Sequence, residues 1–140
     1  MVSVFPFGND RFIRLREMFW LTMFREAAEA GQPIIFTFAP EGTVAPDFPD
    51  VARKTVREFG GEFIAIRLTL PVDEQERRIV NADRSKLGKL RSVDLLRQLR
   101  KQFVLCEAAM PPAALTVDTS LVEPTEAARL IAITLGLRST

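Results

Sequence analysis

Three short apolar runs, separated by stretches of helical periodicity, constrain this chain more than any other feature. Pro33-Ile34-Ile35-Phe36-Thr37-Phe38, Glu62-Phe63-Ile64-Ala65-Ile66-Arg67-Leu68-Thr69 and Ala114-Leu115-Thr116-Val117-Asp118-Thr119 are short and rich in β-branched or aromatic residues, so each reads as a strand. The first run is nearly continuous in its apolar character, which predicts burial on both faces. Parallel neighbours need crossover helices between them, so strands alternating with helices predict an α/β domain with a small, mainly parallel sheet.

The intervening helices are marked by stripes and stops. Asn9 or Asp10 caps a helix that runs to about Ala30, where Gly31 ends it. Phe12, Leu15, Phe19, Met23 and Ala27 follow helical spacing, and Ile13, Trp20 and Phe24 widen the stripe, so this helix is expected to be covered on more than one side. Further helices are predicted over 50–59, ended by Gly60-Gly61; from Pro71 to near Val80; over 92–103, with Val93, Leu96, Leu99 and Phe103 on one face; and over 124–135, ended by Gly136. Residues 39–49 form a loop rich in Pro and Gly, and 107–114 an irregular connection. No repeat, low-complexity tract or interdomain linker interrupts the pattern, which predicts a single domain over 1–140.

Composition excludes several chemistries. At 140 residues, 47% hydrophobic and 26% charged, the chain can bury a core of its own. It has no His, no Tyr and a single cysteine, Cys106, so it cannot build a His/Cys zinc site, a His-dependent nucleophilic pair or an intrachain disulfide. Trp20, beside Phe19 and Phe24, reads as core packing, and Cys106 as an inert buried thiol. Glu74 and Glu76, beside Arg77 and Arg78, read as decoration of a helix surface. The opening MVSVFPFGND lacks a basic region and is broken by Pro6 and Gly8, and no apolar run is long enough for a membrane span, so a cytoplasmic protein with no membrane partner is expected.

Charge is balanced overall at +1 but uneven locally. Arg84, Lys86, Lys89, Arg91, Arg97, Arg100 and Lys101 face only Asp94 within 84–101, a local +6 that leaves −5 elsewhere. Residues 81–91 read as a basic loop between two helices. Such a loop is either simply solvated or able to close over phosphates, because guanidinium and ammonium groups offset polyanionic charge without a fixed backbone cradle. No aromatic residue interleaves with the basic ones from Arg84 to Arg91, so nucleic acid is not an expected partner.

The order of these segments carries a resemblance. Ile34-Ile35-Phe36-Thr37-Phe38-Ala39-Pro40, then Phe63 to Thr69, Glu76-Arg77-Arg78-Ile79, Asn81-Ala82-Asp83-Arg84 through Gly88-Lys89-Leu90, and Leu115-Thr116-Val117-Asp118-Thr119 together resemble the shikimate-kinase-like and adenylate-kinase-like group of P-loop ATPases. The resemblance implies a three-layer kinase-like fold, an ATP-dependent phosphotransferase activity on a small-molecule acceptor, and ATP with Mg²⁺ as cofactors. It also exposes a deficit. The phosphate-binding loop of that group reads G-x-x-x-x-G-K-[ST]. The nearest fragment here, Gly88-Lys89, is followed by Leu90 and has Asp83 where the first glycine belongs. The likeness starts after that loop, which implies a misplaced start or a truncation; neither tight binding of Mg-ATP nor turnover is expected of these 140 residues.

Residue by residue, the resemblance implies Arg84 as a catalytic lid residue and Lys86, Lys89 and Arg91 as phosphate contacts. Glu41, in the loop after the 33–38 strand, falls beside the implied acceptor site, where it either lines the pocket or stands free in solvent. Residues 120–124 would approach the adenine. The family's central strand would lie between 34–38 and 63–68, so its absence implies unpaired edges, met by direct closure of the strands, by Val2 to Phe5 pairing into the gap, or by a homo-oligomer. A kinase-derived interaction or scaffold module without catalysis is the alternative reading.

Overall fold

A computed structural model describes residues 4–80 and 92–137. In chain order the elements are α1 (Asp10–Glu29), α2 (Phe48–Glu58), β1 (Ile66–Thr69), α3 (Val72–Ile79), α4 (Val93–Ala108), β2 (Leu115–Asp118) and α5 (Pro124–Thr134). They divide into two compact units: Met1–Phe63 with Gln102–Pro111, and Ile64–Lys101 with Pro112–Thr140.

In the first unit, α1 begins where Asn9 Oδ1 accepts the backbone N–H of Arg11 at 2.9 Å, and it stops at Gly31, whose φ of 62° suits a residue without a side chain. Its buried residues are Phe12, Arg16 and Phe24. The inward face is centred on 12, 16, 20 and 24, so the expected stripe turns inward at Phe12, Trp20 and Phe24, with Met23 also packed on the core and Leu15 half-buried. Phe19 is 65% exposed, so the expectation that the helix is covered on more than one side fails at that residue. Helix α2 starts two residues earlier than expected, because Pro49 is tolerated in a first turn where its missing N–H is not needed. Phe24, Val44, Phe48 and Ala52 form the core of this unit, with Trp20, Phe36, Phe38 and Phe63 packed on it. Trp20 meets Phe36 and Phe38 edge-on, at centroid distances of 5.1 and 6.2 Å, as expected of a core aromatic. Gly61 is required by close approach: a Cβ there would lie 2.9 Å from Val56 Cγ1 and 3.0 Å from Ala28 Cβ.

The strand expected at 33–38 is not formed. Residues 33–40 take no regular secondary structure and pair with no strand among the described residues, and Ile35 is 97% exposed. Only one face is used, with Phe36 and Phe38 turned into the aromatic core. Burial on both faces requires neighbouring strands to take up the backbone N–H and C=O groups; without them this backbone stays at the surface, where water serves instead. The run at 62–69 is likewise strand only over its last four residues.

In the second unit β1 and β2 run parallel, in register Ile66↔Leu115, Arg67↔Thr116, Leu68↔Val117 and Thr69↔Asp118. The bonds from Ala114 N to Ala65 O, at 2.8 Å, and from Thr119 N to Thr69 O, at 2.9 Å, prolong the ladder at both ends. Ile66, Leu68, Leu115 and Val117 share one face of this two-stranded sheet. Val117 is buried, as are Ile79 of α3 and Leu96 of α4, whereas Leu68 is 60% exposed. Helix α4 outruns its expected end at Phe103 by five residues, so part of the predicted irregular connection is helical. The chain is thus α/β with a small parallel sheet, but among the described residues that sheet has two strands, not three. Strand β1 pairs with β2, and 33–38 joins neither, so the direct closure expected between 33–38 and 63–68 is not formed. Val4 and Phe5 lie in a turn and a bend, while Val2 lies outside the described residues.

Candidate functional site

Beyond Phe38 the chain turns back over α1, and two polar side chains of that helix hold it. Arg16 is 6% exposed, the one charged residue among the described residues that is buried. Its Nη1 donates to Glu41 Oε1 at 3.0 Å, and its Nη2 donates to the Thr43 carbonyl oxygen at 2.6 Å. The Thr43 hydroxyl donates to the same Glu41 oxygen at 2.7 Å, so one carboxylate oxygen collects two donors. The next residue of the helix, Glu17, accepts the backbone N–H of Ala45 on its Oε1 at 2.9 Å. The Arg16 guanidinium also lies over the rings of Phe12 and Trp20, at 5.4 and 4.9 Å. Stacking of this kind suits arginine because its planar cation is weakly hydrated. Arg16 Nε has no hydrogen-bond partner.

A cavity of about 230 Å³ opens beside this clasp. Phe38, Pro40, Glu41 and Val44 form its loop side, and Leu105, Cys106 and Met110 its helical side. Its walls are apolar apart from Glu41 and the Cys106 thiol. Glu41 is therefore neither a free loop carboxylate nor an unencumbered pocket group: its Oε1 is committed to Arg16 and Thr43. Cys106 is half-buried at the cavity wall.

In the second unit the strand C-termini are tied by polar contacts. The Thr119 hydroxyl donates to Thr69 O at 3.0 Å, and Arg78 Nη2 donates to Thr119 O at 2.9 Å. Asp118 Oδ1 accepts from both the hydroxyl and the backbone N–H of Ser120, at 2.6 and 2.8 Å, which lowers its pKa below the usual aspartate value. Ser120, expected near an adenine, is thus occupied in capping Asp118. Glu74 and Glu76, expected to decorate a helix, each hold two arginines. Glu74 binds Arg77 and Arg78 within α3, whereas Glu76 reaches across to Arg97 and Arg100 of α4. Hydrogen bonds from these arginines hold both carboxylates at a pKa of about 2, against an ordinary 4.5.

Arg84, Lys86, Lys89 and Arg91 lie outside the described residues. Of the remaining basic cluster, Arg97 and Arg100 are paired with Glu76, so part of the local excess of charge is already answered. Arg16, Glu17 and Thr43 were not anticipated. The signal for Arg16 was its place four residues from Phe12 and four from Trp20, inside an otherwise aromatic stripe. No group of three His, Cys, Asp or Glu that could hold a metal ion occurs among the described residues. No helix among them is long and apolar enough to cross a membrane. No family model, curated protein or solved structure matches this chain.

Proposed function

We propose that this chain is the portion of a small-molecule-kinase-like phosphotransferase that follows the phosphate-binding loop, and that these 140 residues alone do not turn over ATP. The reading rests on the parallel register of β1 and β2 across a helical crossover that carries the basic segment 81–91. Parallel strands joined in this way place their C-terminal ends on one side, where open α/β sheets gather ligands. The cavity beside Glu41 supplies an apolar pocket with a single carboxylate, compatible with a small acceptor. A triphosphate needs converging main-chain N–H groups, and a G-x-x-x-x-G-K-[ST] loop would have to come from a segment other than this one.

Isothermal titration of the 140-residue chain with Mg-ATP is expected to show no binding tighter than about millimolar; micromolar binding would overturn the proposal. An in-frame G-x-x-x-x-G-K-[ST] in the coding sequence ahead of Met1 supports it. In an enzyme so extended, Arg84→Ala should lower kcat by about a hundredfold or more while changing ATP affinity far less. Unchanged turnover would remove Arg84 from the site.

A second reading, an interaction or scaffold module without catalysis, is favoured by the exposed apolar residues along the unpaired 33–38 segment, with Ile35 foremost. A stop codon just ahead of Met1, together with a stable folded oligomer, decides for it.

A further inference from the structure

Glu76 of α3 sits in a fork made by two arginines of α4. Its Oε1 accepts from Arg97 Nε at 3.0 Å and from Arg100 Nη2 at 2.8 Å, and its Oε2 accepts from Arg97 Nη2 at 2.7 Å. Arg97 thus presents one edge of its guanidinium, two N–H groups to two oxygens, the arrangement by which arginine grips carboxylates and phosphates alike. The fork is a tertiary construction. Glu74 is gripped by arginines three and four positions along its own helix, but the partners of Glu76 lie 21 and 24 residues away. Two guanidiniums share one directly bonded carboxylate, with the charge of Asp94 on α4 also acting on Arg97. They also leave a donor over: Arg100 Nε is buried and has no hydrogen-bond partner. Glu76 Oε1 takes two donors and Oε2 one, and neither oxygen is bonded to Arg100 Nε.

We propose that Arg97 and Arg100 form a binding site for a phosphate-class oxyanion, which Glu76 occupies as an internal competitor. A phosphate group matches the paired N–H groups of Arg97 as a carboxylate does, brings more acceptor oxygens than a carboxylate, and offsets more of the arginines' charge. The exchange breaks three hydrogen bonds of a bidentate, networked ion pair, so an incoming polyanion must compete with Glu76 for both arginines. Its consequence is mechanical as well as electrostatic: when the anion replaces Glu76, the tie between α3 and α4 is released. The site rests on these two helices alone and goes beyond the phosphotransferase reading, since an interaction module would carry it equally.

The test uses sodium tripolyphosphate as the probe, without Mg²⁺ or nucleotide, in low-salt buffer where screening is weak. Glu76→Gln keeps the shape of the side chain and removes its charge. It is expected to bind tripolyphosphate about tenfold tighter than the wild type, and adding Arg97→Gln and Arg100→Gln is expected to abolish the gain. Glu126→Gln serves as the control for net charge, because it removes one carboxylate from the ion pair with Arg129 on α5; less than a twofold change is expected. Equal affinity of Glu76→Gln and wild type, an equal gain in the Glu126 control, or a gain that survives loss of both arginines would each overturn the proposal. Should Glu76→Gln fail to fold, the wild type still decides. Arginine Nε–Hε resonances of Arg97 and Arg100 are expected to shift together on titration with tripolyphosphate, and stationary resonances would overturn the proposal.

Discussion

Arg16 shows how a single residue can be misassigned by periodicity. A stripe of large apolar side chains on α1 counts the arginine as its polar interruption, yet the side chain is buried, sandwiched by aromatic rings and bonded to the loop it holds. Its stem packs like a hydrophobe while the fork finds Glu41 and Thr43. Arg16→Met should destabilise the fold by about 2 to 3 kcal/mol, below the full cost of breaking a buried pair because Glu41 keeps 30% of its side-chain exposure. Arg16→Lys should recover little of this, since a point charge cannot serve Glu41 Oε1 and the Thr43 carbonyl together. Urea unfolding measures both; a loss under about 0.5 kcal/mol for Arg16→Met would mean that the clasp contributes nothing.

Among the elements, the 33–38 segment separates what local chemistry specifies from what neighbours specify. Its residues have strand propensity, but a strand is a pairing, and the pairing is absent among the described residues. Ile35→Ser is therefore expected to change stability by less than about 0.5 kcal/mol, whereas Phe36→Ala, which removes a ring packed on Phe24 and Trp20, should cost about 2 to 4 kcal/mol. A large loss at Ile35 would place a partner on that face. Helices α3 and α4 offer a different test, set by pH. Glu74 and Glu76 have folded-state pKa values of about 2, below the ordinary 4.5. A carboxylate depressed in this way stabilises the fold fully above its unfolded value and loses that contribution as pH falls through the folded one. The second unit should therefore weaken between about pH 4.5 and 2, and the double variant Glu74→Gln, Glu76→Gln should flatten that part of the stability profile followed by circular dichroism. An unchanged acid limb would show that these ion pairs do not form in solution.

At the scale of the molecule, the two units differ in how much apolar surface each hides. The first gathers Phe24, Val44, Phe48 and Ala52 under a cap of aromatic rings; in the second, Ile79, Leu96 and Val117 are buried beside a two-stranded sheet with Leu68 exposed. Local opening follows such differences, so amides of α1 and α2 around that core should be protected from hydrogen exchange longer than those of β1 and β2. Mass-spectrometric exchange checks this, and equal protection would indicate that both units open as one.

From the residues alone, the helices were legible to within two residues except at the end of α4, which runs five residues further, because capping groups, glycine stops and apolar spacing act over three or four positions and need no distant partner. The parallel α/β character followed from their alternation with strand-like runs. Which runs became strands, which face of α1 turned inward, and that Glu41 and Glu76 would each be taken up by arginines from elsewhere in the chain were settled only by tertiary structure. Hydrogen-bond ladders and ion pairs between segments depend on what arrives beside them, and no local pattern carries that information.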